Sequence, residues 1–235
     1  MKKIFYLLLT SLTLVSTSCG SYMGNGTLIG SGAGAAVGAG LGMLFSSSSD
    51  RGKGAAIGAA IGTAVGGGTG ALIGRHMDKK KAALEAELAN QASVETITDA
   101  NGLTAIKVTF DADMTFATGK ANLSATAQSA LAKFAAQMSS SDMINTDIQI
   151  KGHTDNTGSA AVNEKLSLQR AQSVGTVLKN KGISAGRIIE QGCSFNEPVA
   201  DNSTATGRKQ NRRVEVYVLA TEAMVKQYEQ QNSGL

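Results

Sequence analysis

The spacing of apolar positions divides the chain near residue 94. Beyond it, Ile106, Val108 and Phe110 share one face of an alternating run, and the Asn101-Gly102 pair ahead of them predicts a β-hairpin. Leu123, Ala127, Leu131, Phe134 and Met138 recur on one side at helical spacing and predict a helix over about 122–139. Ile148 and Ile150 alternate in TDIQIKG, a short strand. A second helix is predicted over 159–180, with Leu168, Ala171, Val174, Gly175 and Leu178 inward and Gly182 stopping it. RIIEQGC reads as a third core strand, and RRVEVYVL, with Val214, Val216 and Val218 alternating, as the last. This order gives an α/β class, an α+β sandwich with two helices packed on one mixed β-sheet.

Before residue 94 the pattern changes. Gly30, Gly34, Gly38 and Gly42 stand four apart, and so do Gly54, Gly58, Gly62, Gly66, Gly70 and Gly74. On a helix this spacing makes a smooth groove that lets a second helix approach backbone to backbone. Each Gly costs about 1 kcal/mol of helix propensity relative to Ala, so packing or a membrane must supply the stability. A flexible linker would lack Ile, Leu and Val at fixed offsets, and the G-x-G-x-x-G spacing of dinucleotide loops is absent. A helical hairpin turning at SSSSDRGK is expected over 28–77, either entering the membrane or packing in a homo-oligomer. The second ladder, at about 1.5 Å per residue, is long enough to span a bilayer core. The strong helix formers of residues 75–91 read as a solvated connecting helix, with the domain beginning near Val94.

Charge changes the picture only by exclusion. The formal net charge of +4 comes from the first 93 residues, with 8 Lys and Arg against 4 acids, while residues 94–235 hold 14 of each sign. A neutral globular part without a basic stripe, without Trp and with few aromatics gives nucleic-acid binding little support, and none is expected. The start, MKKIFYLLLTSLTLVSTSCG, has the basic, apolar and small-residue order of a secretory signal. Its end, VSTSCG, resembles a bacterial lipobox, which implies a signal peptide over 1–18 and lipidation at Cys19 in a segment over 19–27. Cys193 is then left without a partner and reads as a small buried thiol at a strand end.

The candidate chemistry sits in GHTDNTGSAAVNEKLSLQR, residues 152–170, where a strand ends and a helix begins, the place at which open α/β sheets hold ligands. Asp155 lies in the loop; Asn163 and Arg170, seven residues apart, lie on one side of the helix. A carboxylate and a guanidinium at one site suit a zwitterion, with Asp155 taking an ammonium and Arg170 a carboxylate through two parallel hydrogen bonds. Taken singly, Arg170 reads as a solvated helix arginine and Asp155 as a turn former. Catalysis is not expected. No G-x-S-x-G elbow accompanies His153, which reads as a packed strand-end residue, and the other histidine, His76, lies outside the domain, so no two-histidine metal site is expected.

The strings GHTDNTG, LSLQRAQSVGTVLKNKGI and GCSFNEPVADNSTATGRKQNRRVEVYV, in that order and spacing, closely resemble the OmpA-like peptidoglycan-binding domain, over roughly residues 110–219. The glycine ladder, down to the closing GRHMDKK, is similar to the glycine-zipper domains of bacterial envelope proteins. The first resemblance implies that Asp155 and Arg170 hold the meso-diaminopimelate of the peptidoglycan stem. It further implies that Asn163 and Arg212 line the pocket, with Thr154 and the backbone near Thr118 and Gly119 contributing less. Ala117 replaces the acid that many relatives carry after the Phe.

The expected protein is a periplasm-facing outer-membrane lipoprotein without cofactor, metal or enzymatic activity, tethering membrane to wall. Its parts are the signal peptide, the lipidated segment, the zipper over 28–77, a helical linker over 78–93, the wall-binding domain over 94–220 and a tail over 221–235. The alternative is a zipper oligomer forming a membrane channel or permeability element moored to the wall.

Overall fold

The computed structural model describes residues 68–116 and 119–233. The signal, the lipidated segment with Cys19 and nearly all of the glycine ladder lie outside the described residues. Helix α1 (Thr69–Glu87) is followed by β1 (Ser93–Thr98), β2 (Thr104–Asp111), the single turn α2 (Ala112–Thr115) and α3 (Ala125–Met138). Then come β3 (Thr146–Gly152), α4 (Ala160–Asn180), β4 (Ile188–Gly192), α5 (Ala205–Asn211), β5 (Arg213–Ala220) and α6 (Glu222–Ser233). The strands form one sheet in the order β1-β2-β5-β3-β4, antiparallel except for the parallel pair β3/β4. The mixed sheet expected from the sequence is the one observed.

The hairpin forms at Asn101-Gly102, where Gly102 takes φ 78° and Asp99 Oδ1 accepts from the N–H of Asn101 and Leu103. Register then places the apolar alternations side by side. Phe110 pairs with Val214, Val108 with Val216 and Ile106 with Val218, while Ile150 and Ile148 meet Val216 and Val218 from the other side. All of these are buried, and Leu131, Phe134 and Met138 of α3 and Ala171, Val174 and Leu178 of α4 complete the core with them. Helix α3 begins at Ala125 and not at 122 because Ser124 caps it, accepting from Ala127 N–H at 3.0 Å, while Leu123 bridges back to Phe116.

Three expectations need correction. Leu168 points outward, 38% exposed, because Ser167 occupies the inner position where α4 closes on the sheet. A Cβ on Gly152 would lie 2.1 Å from the Ser167 carbonyl oxygen, and one on Gly192 would lie 2.7 Å from Leu168 N. Only glycine lets the helix approach the parallel pair this closely, so Gly152→Ala is expected to cost about 3 kcal/mol or more of stability, since backbone and not a rotatable side chain opposes the new methyl. A urea midpoint equal to that of the parent would refute it.

The second correction concerns α1, which is no mere solvated linker: one of its faces is packed into the domain. Ile73, Met77 and Leu84, with Leu88 just beyond it, are fully buried against the sheet and helices. Gly74 is buried too, its missing side chain leaving room for Thr104 Oγ1, 3.1 Å from where a Cβ would stand. The last rung of the ladder therefore serves packing inside this domain. His76 accordingly belongs to it, its ring 5.9 Å from that of Tyr228. The third is the tail, which is helix α6, with Met224 and Val225 in the core. Among the described residues no helix is long and apolar enough to cross a membrane.

The opposite face of the central strands is polar yet enclosed. Gln149, Lys151, Arg213 and Glu215 are buried there, and the segment after β4 crosses over them, Arg213 Nη2 donating to the Glu197 carbonyl at 3.1 Å. Arg213 Nε and the Tyr217 hydroxyl both donate to the Glu215 carboxylate. Burial alone would raise the Glu215 pKa, but the neighbouring His153, Tyr217 and Arg213 outweigh it and hold the group well below the carboxylate range. Cys193 is a free, buried thiol, pushed up to about 12 by burial and by the neighbouring Glu197.

Candidate functional site

The strand-to-helix junction opens onto a cavity of about 610 Å³ lined by Phe116, Gly119, Thr154, Asp155, Thr157, Asn163, Leu166, Arg170 and Arg212. Its floor is fixed by backbone. Past the end of β3, Thr154 N–H donates to the Ser194 carbonyl at 2.8 Å, and Ala112 N–H donates to the Arg212 carbonyl at 3.0 Å, joining α2 to the start of β5. Ser159 caps α4, accepting from Val162 N–H. Asn163, Leu166 and Arg170, spaced by three and four, then descend the same side of the helix into the cavity.

Asp155 does two things at once. Its Oδ1 accepts from Thr157 N–H at 2.9 Å, a local turn, and its Oδ2 accepts from Arg212 Nη1 at 2.8 Å across the cavity. Burial raises the carboxyl pKa, but Arg212 and Thr157 together outweigh it, and the net shift is downward. Asp155 is therefore ionised at neutral pH. Asn163 Nδ2 donates to the Thr157 carbonyl at 2.9 Å and so holds the turn that carries Asp155.

Arg170 is 3% exposed, far from a solvated helix arginine. Its Nε donates to the Lys120 carbonyl at 3.2 Å, and its guanidinium carbon lies 5.2 Å from the centre of the Phe116 ring. A backbone bond and an aromatic face thus orient the planar group before any ligand arrives. The Thr154 hydroxyl is buried at the cavity wall with no hydrogen-bond partner among the described residues. Gly119, at φ 66°, turns the chain in the left-handed region as it forms the rim.

The structure thus gathers Asp155, Arg170, Asn163, Arg212, Thr154 and Gly119 around one space; Thr118 lies outside the described residues. Sequence reasoning missed Phe116, Thr157 and Leu166. Leu166 was accessible from its i+3 relation to Asn163, whereas nothing local marks Phe116 as the platform for Arg170. Asn211 was missed as well. Fully buried, it accepts from Val199 and Ala200 N–H and donates to the Ala200 carbonyl, fixing the segment beside which Arg212 emerges.

Two stretches of the chain are similar to known families. Residues 115–212 match the OmpA family, and residues 1–78 match the YMGG-like Gly-zipper. Outer membrane protein Omp38 of Acinetobacter baumannii is 40% identical over 113 residues, covering 48% of this chain and 31% of that protein. The outer-membrane lipoprotein YfiB of Pseudomonas aeruginosa is 45% identical over 73 residues, covering 31% of this chain and 44% of that one. The chain thus spans less than half the length of either relative. A solved structure, the cell wall anchor of the T6SS from Pseudomonas aeruginosa, superposes with a TM-score of 0.51 at 33% identity, covering 60% of this chain and 96% of the anchor. The domain built around this cavity is the part of the chain that matches the OmpA family, over residues 115–212.

Proposed function

We propose that the domain binds peptidoglycan non-covalently by enclosing the zwitterionic end of a diaminopimelate side chain, and so tethers the outer membrane to the wall. The observation that carries this reading is a pre-oriented carboxylate and guanidinium facing one cavity. Asp155, ionised and held by its own turn, receives the ligand ammonium. Arg170 receives the ligand carboxylate; with Nε committed to Lys120, the two-bond contact runs through its Nη nitrogens. Arg212 keeps Asp155 charged while the cavity is empty and leaves the lining with one excess positive charge, which favours a ligand bearing more carboxylate than ammonium. The Thr154 hydroxyl supplies a further polar contact.

The arrangement supports binding and not catalysis. Both charged groups are engaged in fixed hydrogen bonds, and no side chain in the cavity lining is poised as a nucleophile with a base beside it. Its relatives are named as outer-membrane proteins and a lipoprotein, which supports an outer-membrane location facing the periplasm, anchored through lipid on Cys19. The zipper then contributes membrane contact or self-association ahead of Gly74.

The test is co-sedimentation of the full chain with two insoluble walls, one carrying diaminopimelate and the other lysine at the third stem position. Lysine keeps the side-chain ammonium and lacks the extra carboxylate, so the chain is expected to prefer the diaminopimelate wall by about tenfold or more, the value of one charged hydrogen-bonded contact. Equal retention on both walls would sink the assignment of Arg170.

A further inference from the structure

On the polar face of the sheet, away from the core, His153, Cys193 and Glu197 bring a ring nitrogen, a sulfur and a carboxylate oxygen within 4.8 Å of one another. We propose that this cluster is a binding site for a thiophilic divalent metal ion of the zinc class, formed by His153, Cys193 and Glu197 with a fourth position open to water.

The backbone makes the cluster. Parallel pairing continues past the ends of β3 and β4, with Cys193 N–H donating to the Gly152 carbonyl at 2.9 Å and Thr154 N–H to Ser194 at 2.8 Å, so residues 153 and 193 are held side by side. The chain then reverses. Ser194 adopts φ 52°, a left-handed conformation uncommon for a side chain of its type, and Asn196 N–H donates to the Cys193 carbonyl at 3.1 Å. The reversal returns Glu197 over the strands, its backbone oxygen held by Arg213 Nη2.

The histidine supplies the independent sign of a ligand. It is 1% exposed, and its Nδ1 meets no hydrogen-bond partner among the described residues. Its Nε2 lies 3.3 Å from Glu215 Oε2. This contact falls short of good hydrogen-bond geometry, yet Glu215 is the nearest charged group to receive the proton, which leaves the lone pair on Nδ1. A carboxylate behind a ligating imidazole, fixing its tautomer, is the usual outer shell of a metal-bound histidine.

The donor types select the ion. Nitrogen, sulfur and one carboxylate oxygen suit zinc and its neighbours over magnesium or calcium, which take oxygen alone. Binding forms a metal–sulfur bond and releases the Cys193 proton to solvent, and the cation then offsets the thiolate. Lys151 Nζ, at 3.3 and 3.2 Å from the two Glu197 oxygens, is the competing cation. One oxygen turns to the metal while the other stays with the lysine. The ion would join the loop carrying Asp155 to the segment after β4, at a place distinct from the peptidoglycan cavity.

The full chain, purified under reducing conditions and freed of metal, is to be titrated with Co(II) alone. A thiolate-to-cobalt charge-transfer band should grow to one equivalent, and added Zn(II) should abolish it. Cys193→Ser should lose the band, whereas Cys19→Ser should keep it, since Cys19 is the only other thiol. Because Cys193 and His153 are buried, Glu197→Gln at the exposed edge gives a variant that should fold, and it should weaken cobalt binding by about tenfold or more. No thiolate band at saturating Co(II) in the folded chain, a band that survives Cys193→Ser, or unchanged affinity in Glu197→Gln would each overturn the site.

Discussion

Arg170→Ala in the full chain is expected to lower affinity for diaminopimelate-containing peptidoglycan about tenfold or more, and to remove most of its preference over a lysine wall. The arginine contributes hydrogen bonds to a charged group, worth about 1.5 to 3 kcal/mol. Arg170→Lys should be nearly as poor, because an ammonium cannot reproduce the fork and would lose both the Lys120 bond and the flat contact with Phe116. Asp155→Ala should be at least as damaging for a reason visible only in the structure. It removes the ammonium partner and also leaves Arg212 and Arg170 in one cavity lining with no carboxylate to offset them, so the cavity would repel the cationic end of the ligand. Co-sedimentation with insoluble wall, alongside circular dichroism to verify folding, measures each effect. Folded Asp155→Ala and Arg170→Ala chains that bind as the parent does would end the assignment.

What was legible in the sequence was whatever local periodicity encodes. The hairpin at Asn101-Gly102, the strand faces of Ile148 and Ile150 and of Val214, Val216 and Val218, and the inward row of α3 all follow from residue spacing within one element. The polar cavity residues were reached by residue type and by resemblance to the OmpA-like domain. The rest depends on contacts between distant elements. That Leu168 yields the inner position to Ser167 requires knowing that Gly152 and Gly192 lie under that turn of α4. Asp155 reads locally as a turn former, and it is one; its second role appears only when Arg212, 57 residues later, reaches across to it. Likewise the enclosure of Lys151 and Glu215 depends on a crossing segment that has no periodicity of its own. The sequence-based boundary at Val94 fails for a similar reason: the basic and acidic residues of α1 suggest a solvated helix, but Ile73, Met77 and Leu84 form a buried face on its other side.

That failure has the largest consequence for stability. A chain beginning at Val94 would lack Ile73, Met77, Leu84 and Leu88, four fully buried side chains. At about 1.5 to 3 kcal/mol for each, removing them forfeits roughly 6 to 12 kcal/mol of burial, comparable to the whole stability of a typical domain, about 5 to 15 kcal/mol. It would also uncover the apolar surfaces of β1, β2, α3 and α6 on which α1 lies. The shorter chain is therefore expected to be largely unfolded or aggregated at 25 °C, whereas one beginning at Gly68 should unfold cooperatively in urea. Point substitutions make the same case without truncation. In the full chain Leu84→Ala or Ile73→Ala should each cost about 2 to 5 kcal/mol, the range for emptying a buried aliphatic site. Exposed neighbours on the same helix, such as Lys79 and Glu85, should tolerate alanine almost without cost. A chain from Val94 with the same urea midpoint as the chain from Gly68, or a Leu84→Ala variant as stable as its parent, would show that α1 is only a tether after all.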